Sequence, residues 1–204
     1  MGAQRGLLAC GRSREMTLEG ACRVLLIGMM GSGKSTIGRI LAEATGWPYV
    51  DNDDLVRRST GTTARQIVAE DGEADMRSAE AAALALGVDV AAPAIVGVAA
   101  GTILDPTNRE RLRAGGVVVW LRADADILEA RAISGDHRPF LDQHGGAWIR
   151  DTIAERDPLY ASVADIEVDT GAMLAEGSSA EIVARLRSVP ACDAMWHSIG
   201  DAEG

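Results

Sequence analysis

Residues Gly28-Met29-Met30-Gly31-Ser32-Gly33-Lys34-Ser35 constrain this chain more than any other stretch, because they satisfy the pattern G-x-x-x-x-G-K-[ST] in a fitting context. Just upstream, Val24-Leu25-Leu26-Ile27 is a short apolar run that reads as a buried strand. Just downstream, Ile37, Ile40 and Leu41 recur at helical spacing. A strand, a glycine turn and a helix in that order aim backbone N–H groups at an anion, and the helix adds its positive end. Lys34 is placed to reach terminal phosphates as a mobile charge, and the Ser35 hydroxyl to ligate Mg²⁺. The motif implies binding of a nucleoside triphosphate. Alone, it does not separate a motor, a switch or a kinase.

Outside the loop, strand-like runs at 24–28, 49–51, 94–98, 117–121 and 166–169 alternate with helical stretches. The helical stretches fall at 34–45, 63–69, 74–86, 108–114, 125–132, 146–163 and 180–188. This alternation implies an α/β fold with a parallel five-stranded sheet covered by helices on both faces, and ligands beyond the carboxyl ends of its strands. At 204 residues one domain is expected. Apolar residues make up 47% of the chain and aromatics 3%, so Leu, Ile, Val and Ala must fill its core. Segments 1–22 and 190–204 lack pattern and are expected to be poorly ordered tails around a domain at 23–189. Met16 offers an alternative start.

The first fifteen residues lack the apolar core of a secretion signal, and no run approaches the roughly 20 apolar residues of a membrane span. A formal charge of −10 argues against a general nucleic-acid surface, which needs a basic face. Cys10, Cys22 and Cys192 are odd in number and show no metal-ligand spacing, so reduced cytosolic thiols are expected rather than a disulfide framework or a zinc site.

The strand ends hold the remaining chemistry. At Asp51-Asn52-Asp53-Asp54, one carboxylate could order the Mg²⁺ hydration shell and another accept a proton from a substrate hydroxyl. The same residues equally fit a polar turn with a helix N-cap at Asp53 or Asp54. Val98-Ala99-Ala100-Gly101-Thr102 reads as small residues that admit a ligand, or as a plain turn capped by Asp105 before Pro106. Arg77, Arg131, Arg138 and Arg156 form a further set, since guanidinium groups bind carboxylate and phosphate bidentately. Arg138 lies in a turn-rich segment suited to a mobile cover. Arg156 precedes Pro158, which is expected to interrupt and kink its helix.

Taken together, five motifs resemble the shikimate kinase family, over about 23–170. They are Gly28 through Arg39, Asp51-Asn52-Asp53, Gly72-Glu73 through Met76-Arg77 to Glu80, Arg138-Pro139-Phe140-Leu141, and Glu155-Arg156 through Pro158-Leu159-Tyr160. The resemblance implies a P-loop kinase fold with a mobile lid at about 134–144. It also implies a cytoplasmic, monomeric enzyme that moves the ATP γ-phosphoryl group to the 3-hydroxyl of shikimate in aromatic amino-acid biosynthesis. Gly31, Ser32, Gly33, Lys34, Ser35, Thr36 and Arg131 would hold ATP, with Mg²⁺ on Ser35 and, through water, Asp51. Asp53 would position and deprotonate the acceptor hydroxyl, Arg77 and Arg156 would clamp its carboxylate, the Ala100 N–H would face it, and Arg138 would swing in with the lid. Three departures touch the acceptor side and the base. Ala99-Ala100-Gly101 replaces three glycines, Met76 replaces an aromatic, and no arginine stands near 171–173. A kinase for another small hydroxylated, carboxylated metabolite, and a nucleotide-binding protein without transfer activity, are the competing readings.

Overall fold

The computed structural model describes residues 22–134, 146–190 and 192. Five strands form the sheet: β1 (Arg23–Ile27), β2 (Tyr49–Asp51), β3 (Ala94–Gly97), β4 (Val117–Arg122) and β5 (Ile166–Asp169). Around it lie α1 (Lys34–Thr45), α2 (Asn52–Thr60), α3 (Ala64–Glu70), α4 (Glu73–Val88), α5 (Pro106–Gly115), α6 (Ala125–Ser134), α7 (Gly146–Val163) and α8 (Ala175–Leu186), with a 3₁₀ turn at Ala100–Leu104. The strand order is β2-β3-β1-β4-β5, and every pairing is parallel. From β1 the chain crosses to β2, returns to β3, and then passes to the other side of β1. That reversal opens a crevice at the carboxyl end of β1, where the glycine loop leaves the sheet.

Side-chain alternation divides the core. Leu25, Ile27, Val96, Val118 and Trp120 point to the side where Leu84, Leu112 and Tyr160 pack. Val24, Leu26, Ile95, Val119 and Leu121 point to the other, against Ile37, Leu41, Ile182 and Leu186. Leu55, Val56, Ile67, Met76 and Ala83 make a third cluster, joining α2, α3 and α4 into a lobe beside the crevice.

Local chemistry sets the element ends. α1 stops at Gly46, whose left-handed backbone (φ 72°) lets its N–H bond Ala42 O. Thr63 and Gln66 form a reciprocal capping box on α3. Asp105 caps α5, accepting from Thr107 N at 2.7 Å, with Pro106 in the first turn.

Several expectations change. α2, absent from the helical pattern, starts directly at Asn52, and its cap is Asp51 rather than Asp53 or Asp54. α7 runs unbroken across Pro158. Ile149, Thr152, Arg156, Tyr160 and Val163 keep one buried face at helical spacing through that position, so packing holds the turn that the proline leaves one bond short. The expectation of reduced thiols is overturned: Cys22 and Cys192, 170 residues apart, form a disulfide inside the α1–α8 side of the core. Distance along the chain concealed the pair, because only the packing of α8 beside the start of β1 brings them together. Tail segments 1–21 and 193–204, residue 191, and most of the expected lid, with Arg138, lie outside the described residues.

Candidate active site

At the carboxyl ends of β1, β2 and β3 is a cleft of about 570 Å³. The glycine loop forms its floor. Gly33, at φ 93°, ends the loop in a conformation that L side chains avoid, and no side chain caps α1 there, so the helix presents its first N–H groups to the cleft. Lys34 donates to Gly28 O at 2.8 Å and Met29 O at 2.9 Å. Burial pulls its ammonium down to about 8, against the attraction of Asp51, Asp53 and Glu80.

β2 and α1 meet at Asp51. Ser35 Oγ donates to Asp51 Oδ2 at 2.8 Å, Tyr49 OH donates to the same oxygen at 2.7 Å, and Asp53 N donates to Oδ1 at 3.1 Å. Asp51 thus both caps α2, in place of the expected Asp53 or Asp54, and touches Ser35. Asp53, in the first turn of α2, acts electrostatically on Lys34 and on Glu80.

Across the cleft, Arg77 pairs with Glu80 at 3.0 Å and with the exposed Glu73 at 2.8 Å. Glu80 is buried, which raises its carboxyl above the ordinary range, while Arg77 and Arg156 hold it down and Asp53 pushes it up. Arg156 is 7% exposed, and its Nε has no hydrogen-bond partner among the described residues.

The small-residue segment takes ordinary backbone geometry. Ala99 sits at φ −61° and ψ 139°, and among the described residues no non-glycine has positive φ, so neither Ala99 nor Ala100 strains the chain. Gly101 is the position where small size matters, because a Cβ there would collide with the Arg77 guanidinium. Tyr160 donates to Ala100 O at 2.8 Å and fixes the start of the 3₁₀ turn. Arg131 donates to Thr170 O at 2.7 Å and lies 3.4 Å from Gly31 O, against the glycine loop.

Gly31 through Thr36, Asp51, Asp53, Arg77, Ala100, Arg131 and Arg156 all line this cleft; Arg138 lies outside the described residues. Met76 lines it too, as do Glu80, Trp148 and Met173, to which the residue chemistry alone assigned no part. Tyr49 had a usable signal. Residues two apart on a strand share a face, so a tyrosine at that spacing from Asp51 can reach it.

Comparison with known proteins agrees with this geometry. Residues 30–187 match the sequence profile of the family described as shikimate kinase. The shikimate kinase of Moorella thermoacetica is 38% identical over 162 residues, 79% of this chain and 90% of that protein. That of Paramagnetospirillum magneticum is 38% identical over 148 residues, 72% of this chain and 75% of the relative. Among solved structures, shikimate kinase from Acinetobacter baumannii in complex with shikimate superposes with a TM-score of 0.77 at 30% identity, covering 83% of this chain and 95% of that one. With a profile match over most of its length and relatives of this identity and coverage, the chain belongs to the shikimate kinase family.

Proposed function

We propose that this protein transfers the γ-phosphoryl group of ATP to the 3-hydroxyl of shikimate, with Mg²⁺, in aromatic amino-acid biosynthesis. One observation carries the acceptor half of that reading. Arg156 is a buried guanidinium with an unpartnered Nε, and it shares the cleft with Arg77 and the buried carboxylate Glu80. Arg77 is already paired with Glu73 and Glu80, whereas Arg156 has no salt bridge among the described residues, so its guanidinium is the charge open to a small anion, and a ring carboxylate matches its fork geometry.

The donor end fits a magnesium–nucleotide pair by the chemistry of its groups. Ser35 and Asp51 are hard oxygen donors, and Ser35 gives its proton to Asp51, which leaves the hydroxyl lone pairs free for a metal. Bound MgATP supplies the phosphoryl group and neutralises part of its charge. Lys34, Thr36 and the N–H groups of Gly31, Ser32 and Gly33 hold the phosphates, with Arg131 beside them. Arg77 and Arg156 orient the acceptor, and the Ala100 N–H faces it. Asp53 takes the proton of the attacking hydroxyl, while Lys34 and Arg138, the latter from the lid, stabilise the charge that develops on the phosphoryl group. Positioning and fixed charge supply most of the rate in such a transfer.

We read the enzyme as a cytoplasmic monomer that engages neither nucleic acid nor membrane. The charge of −10 speaks against a general nucleic-acid surface, and among the described residues no helix is long and apolar enough to cross a membrane. ADP release measured with shikimate, quinate, gluconate or no acceptor tests the function. Shikimate-dependent turnover is expected. Turnover with another acceptor alone, or ATP binding without turnover on any acceptor, would overturn it.

A further inference from the structure

Tyr49 is a half-buried phenol to which the proposed chemistry gives no role, yet the sheet and α1 are shaped around it. Tyr49 and Asp51 lie two apart on β2 and share a face. Ser35 and Gly38 lie three apart on α1 and present one face to that pair. A Cβ on Gly38 would run into the Tyr49 ring, and a Cβ on Gly97, the β3 residue in register with Asp51, would meet the Tyr49 hydroxyl. The two glycines form a slot that lays the ring along the strand, so that its hydroxyl ends 2.7 Å from Asp51 Oδ2.

The donors around Asp51 decide what the carboxylate has left to offer. Oδ2 accepts from Ser35 and Tyr49, which fills both of its lone-pair directions, and Oδ1 accepts from Asp53 N. One acceptor direction remains, on Oδ1. A carboxylate held in this way is suited to receive a hydrogen from a metal-bound water rather than to ligate the metal directly.

We propose that Tyr49 is a positioning residue for the magnesium site, locking the Asp51 carboxylate so that it orients Ser35 and one water of the metal's hydration shell. This inference rests on the reading of Ser35 and Asp51 as the metal end of the cleft. Without the phenol, Oδ2 regains a free lone pair and the carboxylate can rotate, so Ser35 loses its fixed partner and the metal its preset geometry.

Tyr49→Phe tests the idea, since it keeps the ring in its slot and removes one oxygen. The readout is Mn²⁺ affinity of the protein–ADP complex, followed by loss of the free Mn²⁺ electron-spin-resonance signal at constant ADP. The Phe variant is expected to bind Mn²⁺ about 10-fold more weakly, the low end for losing a partner outside the metal's ligand set. ADP affinity in EDTA and the thermal midpoint should stay at wild-type values. In turnover, the Mg²⁺ requirement should rise while the acceptor KM stays constant, and excess Mg²⁺ should restore kcat. Ser35→Ala and Asp51→Asn serve as references. If they weaken Mn²⁺ binding and Tyr49→Phe does not, the role of Tyr49 is overturned. If all three bind Mn²⁺ as wild type does, the metal reading falls and the inference falls with it.

Discussion

Lys34 illustrates how one residue's setting becomes a measurable property. Its ammonium is buried against the carbonyls of Gly28 and Met29, and burial outweighs three nearby carboxylates to pull it down to about 8. Below that pH the group is charged and ready for phosphate. Above it, the empty site has lost the proton, and binding an anion must first take one up from solution. Affinity therefore falls as pH rises, with a limiting slope of about tenfold per unit until the proton is also lost from the complex. ATP binding measured by calorimetry in EDTA from about pH 7.5 upward, where phosphate esters are already fully ionised, should weaken progressively above pH 8. Lys34→Met should bind weakly and show no such slope. A flat wild-type profile up to about pH 9.5 would remove the link between the buried ammonium and phosphate binding. The motif marks the lysine from sequence alone, but its lowered protonation is a consequence of packing.

Among the elements, the 3₁₀ turn Ala100–Leu104 brings small residues to the wall of the cleft. Tyr160 holds its first carbonyl, Thr102 Oγ1 donates to Ala99 O at 2.6 Å, and Arg109 donates to Ile103 O at 2.7 Å and Leu104 O at 2.9 Å. Ala99 and Ala100 thus project their methyls from a fixed backbone, and both line the cleft. Replacing both with glycine deletes two methyls from the cleft wall. It also frees the unfolded chain, which costs about 0.5–1 kcal/mol per position. The double variant should melt a few degrees lower and lose discrimination. Its kcat/KM ratio for shikimate over the bulkier quinate should fall about tenfold, the scale of one methyl-sized contact. An unchanged ratio would mean that these methyls do not touch the acceptor. How much of this was legible differs by element. α1 and α7 ended where the pattern put them, because apolar spacing, and for α1 the flanking Gly33 and Gly46, are written locally. α2 was hidden because a nine-residue helix carrying Asp53, Asp54, Arg57, Arg58 and Ser59 has too few apolar positions to show a period. The turn at Ala100–Leu104 was legible as a strand-to-helix turn ending at the Asp105 cap, but its distant anchor, Tyr160, was not, because it lies 60 residues away.

Across the whole molecule, strand alternation was enough to announce a parallel sheet with its ligand crevice at the carboxyl edge, since each βαβ crossover is a local event. Contacts between distant segments were not announced, and the Cys22–Cys192 bond is the largest of these. It joins the residue before β1 to the segment after α8, at the opposite end of β1 from the glycine loop, about 16 Å along a five-residue strand. Closing a loop of this length mainly constrains the unfolded chain, a contribution of about 2–4 kcal/mol. For a chain of this size that corresponds to a melting shift of about 5–15 °C. Because the bond lies away from the cleft, stability and chemistry should separate. Cys22→Ala with Cys192→Ala, or reductant added to the native protein, should lower the thermal midpoint by that amount while kcat at 25 °C is preserved. Reductant should not move the midpoint of the double variant. Thiol titration in denaturant should find two fewer thiols per chain without reductant than with it. Equal thiol counts, with a midpoint indifferent to reductant, would show that the two ends are held by apolar packing alone. In that case the expectation of free thiols drawn from cysteine spacing would stand after all.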